Sequence, residues 1–451
     1  MWRDLICRTR LAGLWSISLA LLLASAQLLA QPAAQWSTEA PRDAQALQRL
    51  GMSSQRLELL SSVLQQHVDD GRVPGLVAGI MHKGELVYLR AMGAQVVGES
   101  AMRADSLFQI RSMSKPITAV AALQLVERGV IALDDPVADY IPSFADAKVF
   151  QDPQRPELHS ELNREQHPER QETRAPIRAM TIADLLKNTA GLSHRFSALY
   201  RDNAVRSRSD TLAQLSDKVA AIPLIGDPGE QWVYSISLTI LGRVIEVATG
   251  VPFDHYLKEN VFDPVGMPDT GFFVAAEKQS RLARAYASQK DQDSSWALAP
   301  LPAMAVPITV DPPLKEGAAG LVSSVPDYLK FLQMLLNEGE IEGERILSAA
   351  TVGAMTTNQI EPRLMPFGTN PAAPMLDRGW GYGLAVVVDA EKSAVATHVG
   401  EFGWSGSLGT FAWADPTTQT AYVLMLQIQP AGAHALAQQF KTLAAAAVLE
   451  D

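Results

Sequence analysis

Ser112-Met113-Ser114-Lys115 sets a hydroxyl and an amine three residues apart. On a helix, positions i and i+3 share one face, so the two side chains can meet. A serine hydroxyl is a weak nucleophile until a neighbouring base takes its proton. A lysine can be that base only where burial or nearby positive charge depresses its pKa. The pair is of the kind that nucleophilic catalysis by a serine requires. Pro116 helps to locate the start of a helix, because proline is tolerated in a first turn and disruptive later. The Ser112 N–H is then among the unpaired amides of a helix N-terminus, free to bind a developing oxyanion. The spacing alone is not specific, since a capping serine followed by a solvated lysine gives the same pattern.

A second candidate is Tyr234, in the loop Pro228-Gly229-Glu230-Gln231-Trp232-Val233-Tyr234-Ser235-Ile236-Ser237, which leads into a helix with Ser237 as its expected cap. A tyrosine there serves packing as readily as chemistry. A third is Gly403-Trp404-Ser405-Gly406-Ser407-Leu408-Gly409-Thr410, opening a late strand, where glycine lets a ligand approach the backbone or simply marks a bulge. His194 and His398 read as structural. The eight histidines show no zinc-type spacing, and there is no G-x-S-x-G elbow, P-loop or dinucleotide fingerprint. No metal or organic cofactor is implied.

The elements that must position these residues follow from periodicity. Leu57, Leu60, Val63 and Leu64 recur at helical spacing over 54–68. Segments 76–81 and 85–89 read as a β-hairpin through His82-Lys83-Gly84. Helices are expected at 114–128, 181–188, 237–249 and 325–337, and an Ala-rich one at 433–449. Strands are expected at 383–389, 394–399, 408–413 and 420–427. Residues 145–178, polar and without apolar periodicity, read as a surface insertion, and 289–316 as loop. The expected fold is α+β: an antiparallel sheet from both chain ends, flanked by terminal helices, with an inserted, mostly helical lobe. The sheet lobe would take about 46–110 and 318–451, the helical lobe about 111–317, with a ligand cleft between them.

The 451 residues are 47% hydrophobic and 19% charged, a globular balance. Lys and Arg number 38 against 49 Asp and Glu, a formal net charge of −11. Such a chain has no general field to gather nucleic acid or anionic lipid. Arg3, Arg8 and Arg10, an apolar run over 11–23 and Ala24-Ser25-Ala26 read as a signal peptide, residues 1–26, with a linker over 27–45. An uncleaved membrane anchor is the alternative. Cleavage removes Cys7, the one cysteine, as suits an oxidising compartment, so a periplasmic or secreted location is expected, with no stable membrane insertion.

Together, Phe108-Gln109-Ile110-Arg111-Ser112-Met113-Ser114-Lys115-Pro116, Leu133-Asp134-Asp135-Pro136, the Tyr234 segment, Pro264-Val265-Gly266-Met267, Gly320-Leu321-Val322-Ser323-Ser324 and the Trp404 segment resemble the serine β-lactamase-like family. That group contains class C β-lactamases, D-alanyl-D-alanine carboxypeptidases, and related esterases and transesterases. The resemblance implies that Ser112 is the acylated nucleophile, Lys115 its proton acceptor and Tyr234 the third member of the group. It implies that Trp404-Ser405-Gly406 is the third motif, with the Ser407 and Ser112 N–H groups as the oxyanion hole. Two departures point to the esterase branch. Ile236 stands where lactamases and peptidases commonly carry Asn, and it cannot hydrogen-bond a substrate amide. Trp404 stands where they commonly carry Lys or His, which removes a positive group. His398-Val399-Gly400 competes for the third motif, and Asn188 stands where many relatives have His. The resemblance thus implies a serine hydrolase that cleaves small-molecule esters or transfers their acyl group. Its rivals are a β-lactamase or D-amino-acid peptidase acting on an amide, and a catalytically silent binding or sensor protein.

Overall fold

The computed structural model describes residues 40, 43–151, 172–290, 296–302, 304, 306–368, 374–430 and 433–449. The expected leader lies outside them, as do nearly all of the linker and 152–171 of the polar insertion.

Ser53 caps helix α1 (Ser54–Asp69), its Oγ accepting the Arg56 N–H at 3.3 Å. Leu57, Leu60 and Leu64 form the buried stripe of this helix. Strand β1 (Gly75–His82) is buried along its whole length and turns into β2 (Glu85–Val96) through Lys83 and Gly84. Their φ values, 51° and 84°, are both positive, as a two-residue turn matching the strand twist requires. The short β3 (Ser100–Ala101) follows. The late strands are β4 (Arg378–Trp380), β5 (Ala385–Val387), β6 (Phe402–Ser405), β7 (Phe411–Asp415) and β8 (Thr420–Met425). These eight strands make one antiparallel sheet in the order β4-β5-β6-β7-β8-β1-β2-β3, so both halves of the chain meet at the β8–β1 pair.

Alternation assigns the faces of β1. Leu76, Ala78 and Ile80 share a core with α1 and with Leu436, Phe440 and Ala444 of the last helix, Ala433–Ala446. Gly79 points the other way, against Val325 and Leu329 of the helix Val325–Leu336. A Cβ on it would come within 2.8 Å of both side chains, so the absent side chain sets how closely that helix approaches. The remaining helices that matter here, α2 (Ser114–Glu127), α3 (Ile182–Lys187) and α4 (Ser237–Thr249), belong to the middle of the chain and pack on one another. The architecture is the mixed α+β arrangement expected.

Several local expectations are corrected. Residues 394–399 form no strand; the strand that pairs with β7 begins after Gly400, at φ 91°. Lys441 explains this, since its Nζ donates to the Ala396 carbonyl (3.1 Å) and the buried Glu401 carboxylate (3.0 Å), drawing the segment out of the ladder. Residues 289–316 are not all loop. Trp296–Pro300 pairs with Tyr286–Lys290 in a small sheet joined by Ile428–Pro430, with the prolines after residue 300 outside it. Ser237 does not cap α4; it is the first helical residue, and Ser235 Oγ accepts its N–H at 3.2 Å. The insertion is closed at its base by pairing of Val149–Phe150 with Thr173–Arg174.

Candidate active site

A single 3₁₀ turn, Arg111–Met113, feeds into α2, with the half-buried Ser112 at its centre. Arg111 holds φ 49°, a left-handed conformation that costs a non-glycine residue roughly 1–2 kcal/mol. Its surroundings fix it: Ser114 Oγ donates to the Arg111 carbonyl (2.7 Å) and accepts the Leu321 N–H (3.1 Å), while the Ile110 N–H bonds the Leu321 carbonyl (3.0 Å). Ser112 therefore lies just ahead of the helix rather than on it, with Lys115 in the first turn.

Lys115 is 2% exposed. Its Nζ donates to the Ala318 carbonyl at 2.9 Å and lies 4.4 Å from the centre of the Tyr234 ring. Burial, and secondarily the positive Arg195, push this amine below its ordinary value, against opposing pulls from Tyr234 and Glu316. Burial thus shifts this lysine in the direction that a general base requires.

Tyr234 is set from behind by Asn188. The Asn188 backbone is left-handed (φ 58°) where α3 ends, a conformation asparagine tolerates. Its carbonyl accepts the Val233 N–H (2.9 Å), and its side-chain Oδ1 accepts from the Ser235 N–H (3.3 Å) and Ser235 hydroxyl (3.1 Å). The residues on both sides of Tyr234 are therefore tied to one asparagine. In front, the Trp404 indole N–H donates to the Tyr234 hydroxyl at 2.8 Å. His194 stacks on the Tyr234 ring, centroids 5.8 Å apart. Burial and the neighbouring Arg195 and Lys115 hold His194 down at about 4, so it is neutral at pH 7. Its Nδ1 accepts the Phe196 N–H (3.3 Å), which leaves the ring proton on Nε2. Trp380 meets Trp404 edge-on at 4.8 Å, so the phenol sits among aromatic rings.

Trp404 lies on β6, and the tight turn after it returns to the nucleophile. A Cβ on Gly406 would fall 2.2 Å from Thr410 Oγ1 and 2.4 Å from the Ile110 carbonyl. Only glycine lets this turn close against the residues that lead into Ser112, and Thr410 Oγ1 adds a bond to the Ile110 carbonyl at 3.2 Å. Ser407, exposed, follows Gly406 at the tip of this turn. Ile236 is different: it is 1% exposed and anchored by its N–H to the Ser193 carbonyl, so its side chain belongs to the core and offers a substrate no surface. His398 is bonded to Asp415 (2.8 Å) beyond the start of β6, at the end of the strand away from the Gly406 turn. Asn188, noted in the sequence only as a departure, and the seat of His194 against Tyr234 were not legible as site features, because each contact joins residues far apart in sequence.

The profile of the Beta-lactamase family matches residues 60–447. Among characterised and uncharacterised relatives, Protein Rv1367c of Mycobacterium tuberculosis (strain ATCC 25618 / H37Rv) is 31% identical over 376 residues, covering 81% of this chain and 89% of that protein. Esterase EstB of Burkholderia gladioli is 29% identical over 393 residues, with the same coverage of each chain. The solved structure of EstCE1, described as a hydrolase with promiscuous acyltransferase activity, superposes with a TM-score of 0.71 at 25% identity, covering 90% of this chain and all of the other. With the family profile spanning both the Ser112 turn and the last strands of the sheet, the chain belongs to the Beta-lactamase family.

Proposed function

We propose that the protein is an exported serine hydrolase that cleaves carboxylic esters, or hands their acyl group to an alcohol, through an ester on Ser112. The observation that carries this reading is the buried Lys115 amine, bonded to a main-chain carbonyl and set against Tyr234, three residues after a half-buried serine. Ser112 Oγ attacks the ester carbonyl carbon and gives its proton to the unprotonated Lys115 amine, directly or through the Tyr234 hydroxyl. The carbonyl oxygen takes up the negative charge, with the Ser112 and Ser407 N–H groups as its donors. As the tetrahedral species collapses, the bond to the alkoxide breaks and the stored proton passes to it. Water, or a second alcohol, then attacks the acyl-serine by the reverse proton route.

Ester rather than lactam chemistry is favoured by Trp404. The third motif supplies Tyr234 with a neutral N–H donor instead of a cation, and the buried Ile236 leaves no amide-binding side chain in the second. An esterase and a hydrolase with acyltransferase activity among the similar proteins agree with it. Ser112→Ala should abolish turnover of a 4-nitrophenyl ester and labelling by a fluorophosphonate, with the far-ultraviolet circular dichroism unchanged. Full activity in that variant rejects the nucleophile, and efficient turnover of a chromogenic cephalosporin by the wild type rejects the ester preference.

A further inference from the structure

Four arginines cluster around one buried carboxylate next to this site. Arg195 and Arg206 converge on the buried Glu316, Arg195 Nη1 at 3.0 Å and Arg206 through two bonds of 2.8 and 2.7 Å. Arg208 and Arg111 lie within electrostatic reach of the same group. Glu316 carries one charge against their four. Arg208 Nε and Nη2 are buried and lack a hydrogen-bond partner among the described residues, a costly state for a guanidinium. The neighbouring Lys315 does not share in this excess, since it is held by Asp254 and Asp311.

The cluster is tied to the chemistry at three points. Arg111 immediately precedes Ser112, Arg195 follows the histidine stacked on Tyr234, and Glu316 lies two residues before the carbonyl that holds Lys115. Phe196, 60% exposed, covers the pair, with the Arg195 and Arg206 guanidinium groups 4.5 and 5.8 Å from its ring centre. In a chain of net charge −11, this is a local inversion of sign beside the nucleophile. Guanidinium donors left over after Glu316 match the planar oxygens of a carboxylate.

We infer that the Arg111–Arg195–Arg206–Arg208 cluster binds an anionic group of the substrate, so that the enzyme selects esters that also carry a free carboxylate, on either the acyl or the alcohol side. The inference rests on the hydrolase reading above and adds the substrate class. Burial, with like charges around it, lowers Arg111 to about 10.

Two matched substrate pairs test it: mono-4-nitrophenyl glutarate against 4-nitrophenyl pentanoate, and 4-acetoxybenzoate against its methyl ester. The expected result is a kcat/KM about tenfold or more higher for the anionic member of at least one pair, the scale of one charge-assisted hydrogen bond. The responding pair tells which side carries the carboxylate. Arg208→Gln should reduce that ratio about tenfold, through KM, and Arg208→Lys should restore part of it. Ratios near one in both pairs, or a ratio untouched by Arg208→Gln in a folded protein, overturn the inference while leaving the hydrolase reading intact. Calorimetry of glutarate with the Ser112→Ala protein reads the site without turnover. Binding that Arg208→Gln abolishes upholds the cluster even if no ester is cleaved, and absence of binding overturns it.

Discussion

The Trp404 indole N–H points at the Tyr234 hydroxyl oxygen, 2.8 Å away. An indole nitrogen only donates, so this bond commits one lone pair of the phenol oxygen and leaves its own proton to be given elsewhere. Trp404→Phe keeps the ring and removes the donor. A hydrogen bond to a charged oxygen is worth about 1.5–3 kcal/mol, so kcat for a 4-nitrophenyl ester should fall by roughly 10- to 100-fold with KM little changed. An unchanged kcat would show that the bond only packs the two rings.

Lys115 must be uncharged to accept the serine proton. Because burial lowers it, the neutral amine is populated at pH values below the ordinary lysine range, and kcat/KM should rise with pH along an acid limb set by this group. Arg195 lowers Lys115 further by its charge. Arg195→Gln should therefore move the acid limb to higher pH, as measured from pH–rate profiles. A shift in the opposite direction would assign the limb to another group.

Asn188 fixes Tyr234 by two separable means, a left-handed backbone and a side-chain acceptor. Asn188→Gly retains the backbone preference and loses the acceptor; Asn188→Ala loses both. Thermal stability should fall in both variants, with Ala lower than Gly by about 1 kcal/mol from the φ alone. The loss in kcat should be similar in the two, since it follows the Ser235 bonds. Equal stability of Gly and Ala would discount the backbone contribution.

Glu316 is buried between Arg195 and Arg206, and although burial opposes it, those arginines hold it well below the carboxylate range. A depressed folded-state pKa adds stability that is present above the unfolded value, 4.5, and is lost as pH falls through the folded one. Glu316→Gln leaves the guanidinium groups unpaired and should cost about 3–5 kcal/mol at pH 7. The gap to wild type, followed by denaturant titration, should narrow progressively below pH 4.5. A gap constant with pH would place the cost in lost shape rather than charge.

The terminal hairpin, α4 and the two-ended sheet were legible because each rests on local signals: apolar periodicity, a turn dipeptide, a glycine stop. The false strand at 394–399 shows the limit. The segment is short and largely apolar, as a strand would be, but Lys441, more than 40 residues later, holds it out of the sheet. The site divides in the same way. Ser112 and Lys115 announce themselves by spacing, and Tyr234 and Trp404 by their phrases. The bond between those two, the Asn188 clasp and the arginines around Glu316 all join residues far apart in sequence, and no window along the chain displays them. Ile236 was legible as a residue but not as a buried one.

At the middle of the sheet, Val77 lies opposite Met425. A ribosome must therefore read almost the whole message before β1 can find its second neighbour. Until then β1, buried along its whole length in the folded protein, has an open edge, available to another nascent copy. A chain that stops before β8 should therefore be prone to edge-to-edge association as well as inactive.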